Sequence, residues 1–257
     1  MLRKIRFILL PFTWLYSCIL TLRNKLYDWG WRESYRPEVF TLCVGNLSMG
    51  GTGKSPAIEY LIKKLQNTYK LASLSRGYKR KSKGFKEVFQ DAEVAEVGDE
   101  PLQFKRKYPK IKVAVDEHRA HGIKQLNQQY QLDCILLDDA FQHRKVQAHF
   151  SILLSVYNDL YVNDFVLPAG NLREPKSGAH RANVIIITKC PLNLSAEEQR
   201  KIEQKIQPKS HQSIFFAGID YATTIFSNNK EIQLSKFDNF TLVTGIANPK
   251  PLINQQT

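Results

Sequence analysis

A glycine-rich stretch, GNLSMGGTGKSP, occupies residues 45–56 and directly follows the apolar run FTLCV. In the next segment, SPAIEYLIKKL, apolar side chains recur at i, i+3, i+4 and i+7, as in an amphipathic helix. Glycines let several backbone N–H groups converge on one anion, and a helix N-terminus adds the positive end of its dipole. The order strand, glycine loop and helix therefore predicts a phosphate-binding loop.

The loop fits the pattern G-x-x-x-x-G-K-[ST] with one departure, because Ser48 stands at the first glycine position. In that pattern Lys54 reaches the β- and γ-phosphates of a nucleotide, and the hydroxyl of Ser55 approaches Mg²⁺. A flexible glycine linker is the alternative, but it would not need GKS at the start of a helix. We expect the nucleotide to be bound by Ser48, Met49, Gly50, Gly51, Thr52, Gly53, Lys54 and Ser55.

The composition suits a globular protein with an anionic partner. Of 257 residues, 43% are hydrophobic, enough for one sizeable core and a smaller lobe. Lys and Arg outnumber Asp and Glu by 37 to 24, which favours binding to nucleic acid, a membrane surface or a phosphorylated substrate. No CxxC spacing occurs, so we expect reduced thiols at Cys18, Cys43, Cys134 and Cys190.

The N-terminal segment carries an uncharged run over residues 7–22 with basic residues on both sides. This run contains Pro11 and is short for a membrane span of ~20 residues, and the flanking charges favour neither orientation. No small-residue cleavage site marks a signal peptide. We predict a helix lying in the membrane interface, with Trp14 and Tyr16 at headgroup depth. A true span and a buried core helix are the alternatives.

The rest of the chain alternates between apolar runs and helical stretches. Helical patterns at 101–108 and 118–130 separate several of the runs, and unbroken β-branched runs of this kind predict a parallel sheet covered on both faces. Such a doubly wound α/β domain binds its ligands at the carboxyl ends of its strands. The strand candidates are 70–75, 111–115, 133–137, 150–156 and 183–188.

The character of the sequence changes from about residue 190. SAEEQRKIEQKI is typical of an exposed helix capped by Ser195, and strand-like runs follow at 213–219 and 241–246. These features predict a second, smaller lobe.

Two adjacent carboxylates, Asp138 and Asp139, follow the apolar run CILL. A nucleotide-binding sheet presents a carboxylate to Mg²⁺ in this way, although Asp is also common in strand-end turns. The metal role is favoured because both motifs then share one sheet edge.

Other polar groups allow two interpretations each. Asp99 in VGDEPLQF can cap a helix or accept a proton from an attacking hydroxyl, and the residues alone do not separate these roles. In LPAGNLREP, Arg173 could neutralise phosphate charge and Glu174 could help to hold Mg²⁺, or the two could form surface ion pairs. His118 and His121 lack further ligands at zinc spacing, so we expect solvated helix histidines.

The loop SRGYKRKSKGFK, residues 75–86, interleaves basic and aromatic side chains. RNA-binding proteins show this pattern, and so would a loop that grips a phosphate on a substrate. Its place at a strand end beside the glycine loop favours the substrate.

Five motifs in one order, VGNLSMGGTGKSP, LSRGY, VGDEP, LLDDAFQHR and LPAGNLREP, resemble the tetraacyldisaccharide 4'-kinase family. These are membrane-associated P-loop kinases of lipid A biosynthesis, and their glycine loop also departs at the position of Ser48. The resemblance covers about residues 10–190. It implies transfer of the ATP γ-phosphoryl group to the 4'-hydroxyl of an acylated glucosamine disaccharide phosphate, at the cytoplasmic leaflet of the inner membrane and without nucleic acid.

The resemblance also implies roles by motif. It makes Asp99 the candidate base for the sugar hydroxyl, and Lys54 and Arg173 contacts to the phosphates. The Mg²⁺ ion would lie among Ser55, Asp138, Asp139 and Glu174.

The family pattern further implies three segments: a membrane-associating helix over 1–28, a P-loop kinase core over 29–189, and a partial C-terminal lobe over 190–257. Family members continue into a segment containing Asp-His-His, whose histidine assists the base, so we expect the second lobe to be incomplete here. The alternative functions are a membrane-bound ATPase or GTPase switch without a lipid acceptor, and a nucleic-acid-binding ATPase. The latter leaves the N-terminal helix unexplained.

Overall fold

The computed structural model describes residues 6–220, 224–227, 230–233, 241 and 243. A 3₁₀ turn at Arg6–Leu9 leads into the first helix, and two more 3₁₀ turns lie at Tyr161–Asn163 and Lys176–Arg181. The helices are α1 Leu10–Asp28, α2 Lys54–Leu65, α3 Val94–Val97, α4 Asp99–Lys107, α5 Arg119–Tyr130 and α6 Ala196–Ile206. The strands are β1 Phe40–Asn46, β2 Leu71–Ser75, β3 Lys86–Glu87, β4 Lys112–Val115, β5 Cys134–Asp138, β6 Phe150–Val156, β7 Val184–Cys190, β8 Ser213–Gly218, β9 Thr224–Ser227 and β10 Lys230–Gln233.

Eight strands form one sheet in the order β3-β4-β2-β5-β1-β6-β7-β8. All neighbours run parallel except β3, which runs antiparallel to β4. Strand β1 lies inside the sheet, between β5 and β6. Six of its seven residues are buried, as expected for a strand that is covered on both faces. Strands β9 and β10 form a separate antiparallel pair.

Helices cover both faces of the sheet, as the buried side chains of β1 illustrate. Leu42 and Val44 face the core side that holds Ile58 of α2. Cys43, between them, faces the opposite side with Ile123 of α5. This arrangement confirms the predicted doubly wound α/β fold.

The sheet does not end at residue 190, where the sequence suggests a second lobe. Strand β8 pairs in parallel with β7, and α6 buries Ile202 and Ile206 in the same core. The predicted cap of α6 is confirmed, since the Ser195 hydroxyl accepts a bond from the Glu198 N–H at 3.2 Å. We therefore propose a boundary after Gly218. The strand expected at 241–246 falls almost wholly outside the described residues.

Helix α1 has an inverted distribution of side chains. Its buried residues are Thr13, Leu20 and Asn24, of which two are polar. Its exposed residues are largely apolar, and together with the 3₁₀ turn the helix is long and apolar enough to cross a membrane. A soluble core helix would show the reverse pattern. The exposed large apolar side chains are Leu10, Phe12, Trp14, Leu15, Tyr16, Ile19 and Leu22.

Gly45 on β1 allows the chain after β5 to approach closely. A β-carbon at this position would lie 2.5 Å from the Cβ of Phe141, so Gly45→Ala should destabilise the fold by about 1–3 kcal/mol. Gly51 is the control, because a β-carbon there meets nothing within 4 Å. Thermal melting should fall for Gly45→Ala and stay close to wild type for Gly51→Ala. Equal melting of the two variants would contradict this packing.

Candidate active site

The glycine loop joins the end of β1 to the start of α2, at the carboxyl edge of the sheet. Gly50 and Gly53 have φ angles of 112° and 90°, a region that side chains other than glycine rarely adopt. Gly53 is the N-cap of α2 and offers no side chain to the first N–H groups of the helix. These donors remain available to an anion, as the sequence predicts.

Lys54 contacts the last residue of β1 and the carboxylate that follows β5. Its ammonium donates to the Asn46 side-chain oxygen at 3.2 Å and lies 3.7 Å from an Asp139 carboxylate oxygen. The Arg173 guanidinium donates to both oxygens of Asp139, at 3.0 and 2.9 Å. The structure therefore brings Lys54, Asp139 and Arg173 together.

Asp138 is the buried member of the acidic pair. It is 4% exposed, and its Oδ1 atom is buried without a hydrogen-bond partner in the part of the chain described. Burial raises the pKa of Asp138 to about 7, and the negative charges of Glu100 and Asp139 act in the same direction. A nearby cation would relieve this cost.

The residues around Asp138 fit a magnesium ion. The Ser55 hydroxyl lies at the start of α2 and donates to Glu100 at 2.5 Å. Among the described residues no three His, Cys, Asp or Glu side chains form a complete metal cage. Mg²⁺ does not need one, because it is commonly held by one or two carboxylates, water and nucleotide phosphates.

Glu174 occupies a different environment from the one expected of a metal ligand. It is fully buried, and its Oε1 atom accepts bonds from Arg181 at 2.7 Å and Gln142 at 3.2 Å. Its Oε2 atom accepts from Asn24 of α1 at 3.0 Å. Because protein donors engage both oxygens, a metal contact would require breaking these bonds.

Asp99 is the first residue of α4 and is exposed. The N-cap position belongs to Gly98 and has no side-chain cap, while the Asp99 carboxylate accepts from the Glu100 N–H at 3.0 Å. The bond between Glu100 and Ser55 brings the start of α4 against the start of α2. Asp99 is therefore one residue from a contact with the phosphate loop, and the capping role expected as the alternative is absent.

Several residues that hold the glycine loop were missed in the sequence. The Thr188 hydroxyl donates to the Thr52 carbonyl at 2.9 Å, and the Lys189 ammonium donates to the Gly51 carbonyl at 2.7 Å. Both lie at the carboxyl end of β7, so their position at the same sheet edge was the available signal. Asn46 was missed as well, although it ends β1 directly before the loop.

Basic side chains surround the adjoining part of this edge. Arg119 is 3% exposed and donates to the Asp138 carbonyl at 3.4 Å. Burial lowers the pKa of His143 to about 4, and the positive charges of Arg119, Lys145, His118 and Arg76 add to this effect. The structure thus assembles a cationic cluster next to the acidic pair.

The other two sequence features take simpler roles. His121 lies 2.7 Å from the buried Asp116 carboxylate and forms no metal cluster within the described residues. In the basic loop, Arg80 contacts the Glu117 carboxylate, and the Gly84 N–H donates to it at 2.9 Å. These bonds lower the pKa of Glu117 to about 2, the contact from Gly84 contributing most. These contacts hold the part of the basic loop that contains Arg80 and Gly84 against Glu117.

This doubly wound sheet, with a glycine loop after its central strand and an acidic pair after the adjacent strand, defines a P-loop nucleotide-binding protein. Residues 5–256 match the family model LpxK, described as tetraacyldisaccharide-1-P 4'-kinase. The chain belongs to this family.

Similar proteins support the same assignment. A tetraacyldisaccharide 4'-kinase of Flavobacterium johnsoniae is 50% identical, over 98% of this chain and 74% of that protein. One from Bacteroides thetaiotaomicron is 42% identical, over 98% of this chain and 70% of that protein. A crystal structure of LpxK from Aquifex aeolicus in complex with ATP matches with a TM-score of 0.66 and 30% identity, covering all of this chain and 91% of that one.

The lowered pKa of His143 predicts how the stability of the folded protein depends on pH. Because this pKa is about 4 in the folded protein and 6.5 is its ordinary value, protonation favours unfolding. The stabilisation from neutral His143 is present above pH 6.5 and is lost as pH falls towards 4. We expect His143→Gln to show a smaller drop in melting temperature than wild type between pH 7 and pH 4.5. Equal drops would contradict a half-buried histidine that is neutral in the folded protein.

Proposed function

We propose that the chain transfers the γ-phosphoryl group of ATP to the 4'-hydroxyl of a tetraacyldisaccharide 1-phosphate. The observation that carries this proposal is the grouping of Lys54, Asp139 and Arg173 at the glycine loop. The names of the relatives and the ATP in the Aquifex aeolicus structure support it. Domain assignment follows as helix 1–28, a kinase core to residue 218, and a C-terminal lobe beyond it.

On the nucleotide side, backbone N–H groups from Gly50 to the start of α2 would bind the phosphates, because the Met49 N–H is engaged elsewhere. Lys54 and Arg173 would each supply a positive charge, which stabilises the negative charge that spreads over the transferred group. Both now contact Asp139, so a bound nucleotide would draw these cations towards its phosphates. Ser48 and Met49 are tied to the 168–174 segment, since the Met49 N–H donates to the Asn171 carbonyl at 2.8 Å.

Ser55, Asp138 and Asp139 would hold Mg²⁺, with Glu100 close by. The ion, when bound, neutralises charge between the β- and γ-phosphates. Supporting this assignment is the buried, unpartnered Oδ1 of Asp138 within a group of negative charges. The predicted role of Glu174 stays a prediction, because its contacts to Asn24, Gln142 and Arg181 favour a structural role.

On the acceptor side, Asp99 would accept the proton of the attacking hydroxyl. It is exposed, begins a helix and lies next to a residue that touches the phosphate loop. A carboxylate in hydrogen-bond reach of a sugar hydroxyl can act as a general base. The cationic cluster of Arg76, His118 and Arg119 would attract the phosphate that the acceptor already carries.

The acceptor bears acyl chains, and helix α1 suits a protein that works on them. Its outward apolar face would lie in the cytoplasmic leaflet of the inner membrane. The sheet would then stay in the adjoining aqueous phase, which contains ATP. Basic residues at both ends of the helix would favour anionic headgroups.

Two variants separate chemistry from nucleotide binding. With γ-labelled ATP and an acylated glucosamine disaccharide phosphate in detergent, Asp99→Asn should lower turnover roughly 10²- to 10⁴-fold, because it removes the base. Its affinity for ATP should change little, whereas Lys54→Ala should lose a charge-assisted phosphate contact and suffer in both measurements. If the wild-type protein released the label of ATP only as free phosphate, this result would contradict kinase activity and indicate a hydrolytic switch.

The membrane role of α1 makes a separate prediction. Trp14 is 71% exposed, so Trp14→Glu should reduce partitioning onto vesicles of anionic phospholipid by about tenfold or more. Tyr60→Glu, on the exposed face of α2, is the matched control and should partition like wild type. Equal partitioning of Trp14→Glu and wild type, measured by vesicle sedimentation, would show that α1 does not bind the membrane.

A further inference from the structure

Helix α1 buries a carboxamide at the point where it meets the sheet. Asn24 is 7% exposed and donates to Glu174, which is fully buried. Burying a polar side chain costs free energy unless it is hydrogen-bonded, and burying a carboxylate costs more. A helix that needed only an apolar outer face would not require an asparagine at this position.

From Glu174 the contacts continue to the phosphate loop. The Gln142 amide donates to Glu174 at 3.2 Å and to the backbone carbonyl of Asn46 at 2.7 Å. The Asn46 side chain in turn accepts a bond from the Lys54 ammonium at 3.2 Å and donates to the Ser48 carbonyl at 2.6 Å. Four consecutive hydrogen bonds therefore connect Asn24 with Lys54.

A second connection runs through the backbone beside Glu174. The Arg173 N–H donates to the Leu47 carbonyl at 2.7 Å, and the Arg173 side chain pairs with Asp139. A change in the position of Glu174 would therefore also move Arg173. Both cations of the phosphate site are therefore connected to the same buried carboxylate.

We propose that Asn24 is a positioning residue for phosphoryl transfer, which acts through Glu174 and Gln142 to hold Asn46 and Lys54 in place. Its effect on turnover rests on the proposed kinase function, but its effect on the order of the loop does not. Helix α1 is then part of the phosphate site as well as a membrane contact.

An exchange of the two partners tests the proposal. Asn24→Asp places two carboxylates together in a buried site, and we expect turnover to fall about tenfold with ATP affinity within about threefold. Combining it with Glu174→Gln restores an amide–carboxylate pair in the reverse direction, so the double variant should regain most of the loss. Asn24→Ala, which removes the donor without adding charge, should give a smaller loss and serves if Asn24→Asp does not fold.

Hydrogen exchange gives a measurement that does not depend on catalysis. Backbone amides of residues 46–55 should exchange faster in Asn24→Asp and return towards wild type in the double variant. The control is Asp28→Asn, which weakens another polar contact of α1, the ion pair with Arg144 at 2.7 Å, without touching the connection to Lys54 or the 168–174 segment. It should lower the melting temperature but leave exchange of the loop and turnover near wild type.

Three results would overturn the proposal: unchanged loop exchange in both Asn24 variants, a double variant no better than Asn24→Asp, or equal effects of Asp28→Asn and Asn24→Asp. A wild-type protein that does not phosphorylate the lipid would contradict the proposed function instead. The exchange measurement would still decide whether Asn24 orders the loop.

Discussion

The carboxyl edge of the sheet holds acidic and basic side chains against one another around a buried carboxylate. Asp138 is buried with its pKa raised to about 7, and Asp139 and Glu100 lie close enough to contribute to that shift. Lys54 and Arg173 compensate in part, both by contact with Asp139. The central position of β1 and the parallel order of its neighbours serve to hold these opposing charges around the glycine loop.

Most of the sheet could be predicted because its strands are buried on both faces. Strands β2, β4, β5 and β6 leave largely apolar runs, and the structure matches their predicted bounds within one or two residues. Strand β8 was assigned to a separate lobe because it lies at the sheet edge, where Phe215 is exposed, and because the charged helix α6 precedes it. A two-residue strand such as β3 is too short to leave any periodic pattern.

The site was predictable wherever one residue type in one local pattern implies one chemistry. Lys54, Asp138 and Asp139 come from such patterns, and the structure brings them to one edge. Glu174 illustrates the limit, because its donors come from segments about 150 and 32 residues away, as well as from Arg181 nearby. A single asparagine or glutamine that bonds a distant carboxylate leaves no spacing to recognise, so only tertiary structure reveals it.

Helix α1 combines an outward apolar face with polar contacts to the segment that holds the phosphate loop. Its apolar side chains face outward, while Arg6 donates to the carbonyls of Pro168 and Gly170 and to the side chain of Asn171. The 168–174 segment thus receives contacts from α1 and the 3₁₀ turn before it on one side, and holds the phosphate loop on the other. A water-soluble nucleotide and an acylated acceptor meet productively only in a narrow range of distance and angle. Because hydrogen bonds connect α1 to the segment that holds the phosphate loop, a surface bound by α1 would lie at a defined distance from the site, which a flexible tether would leave undefined.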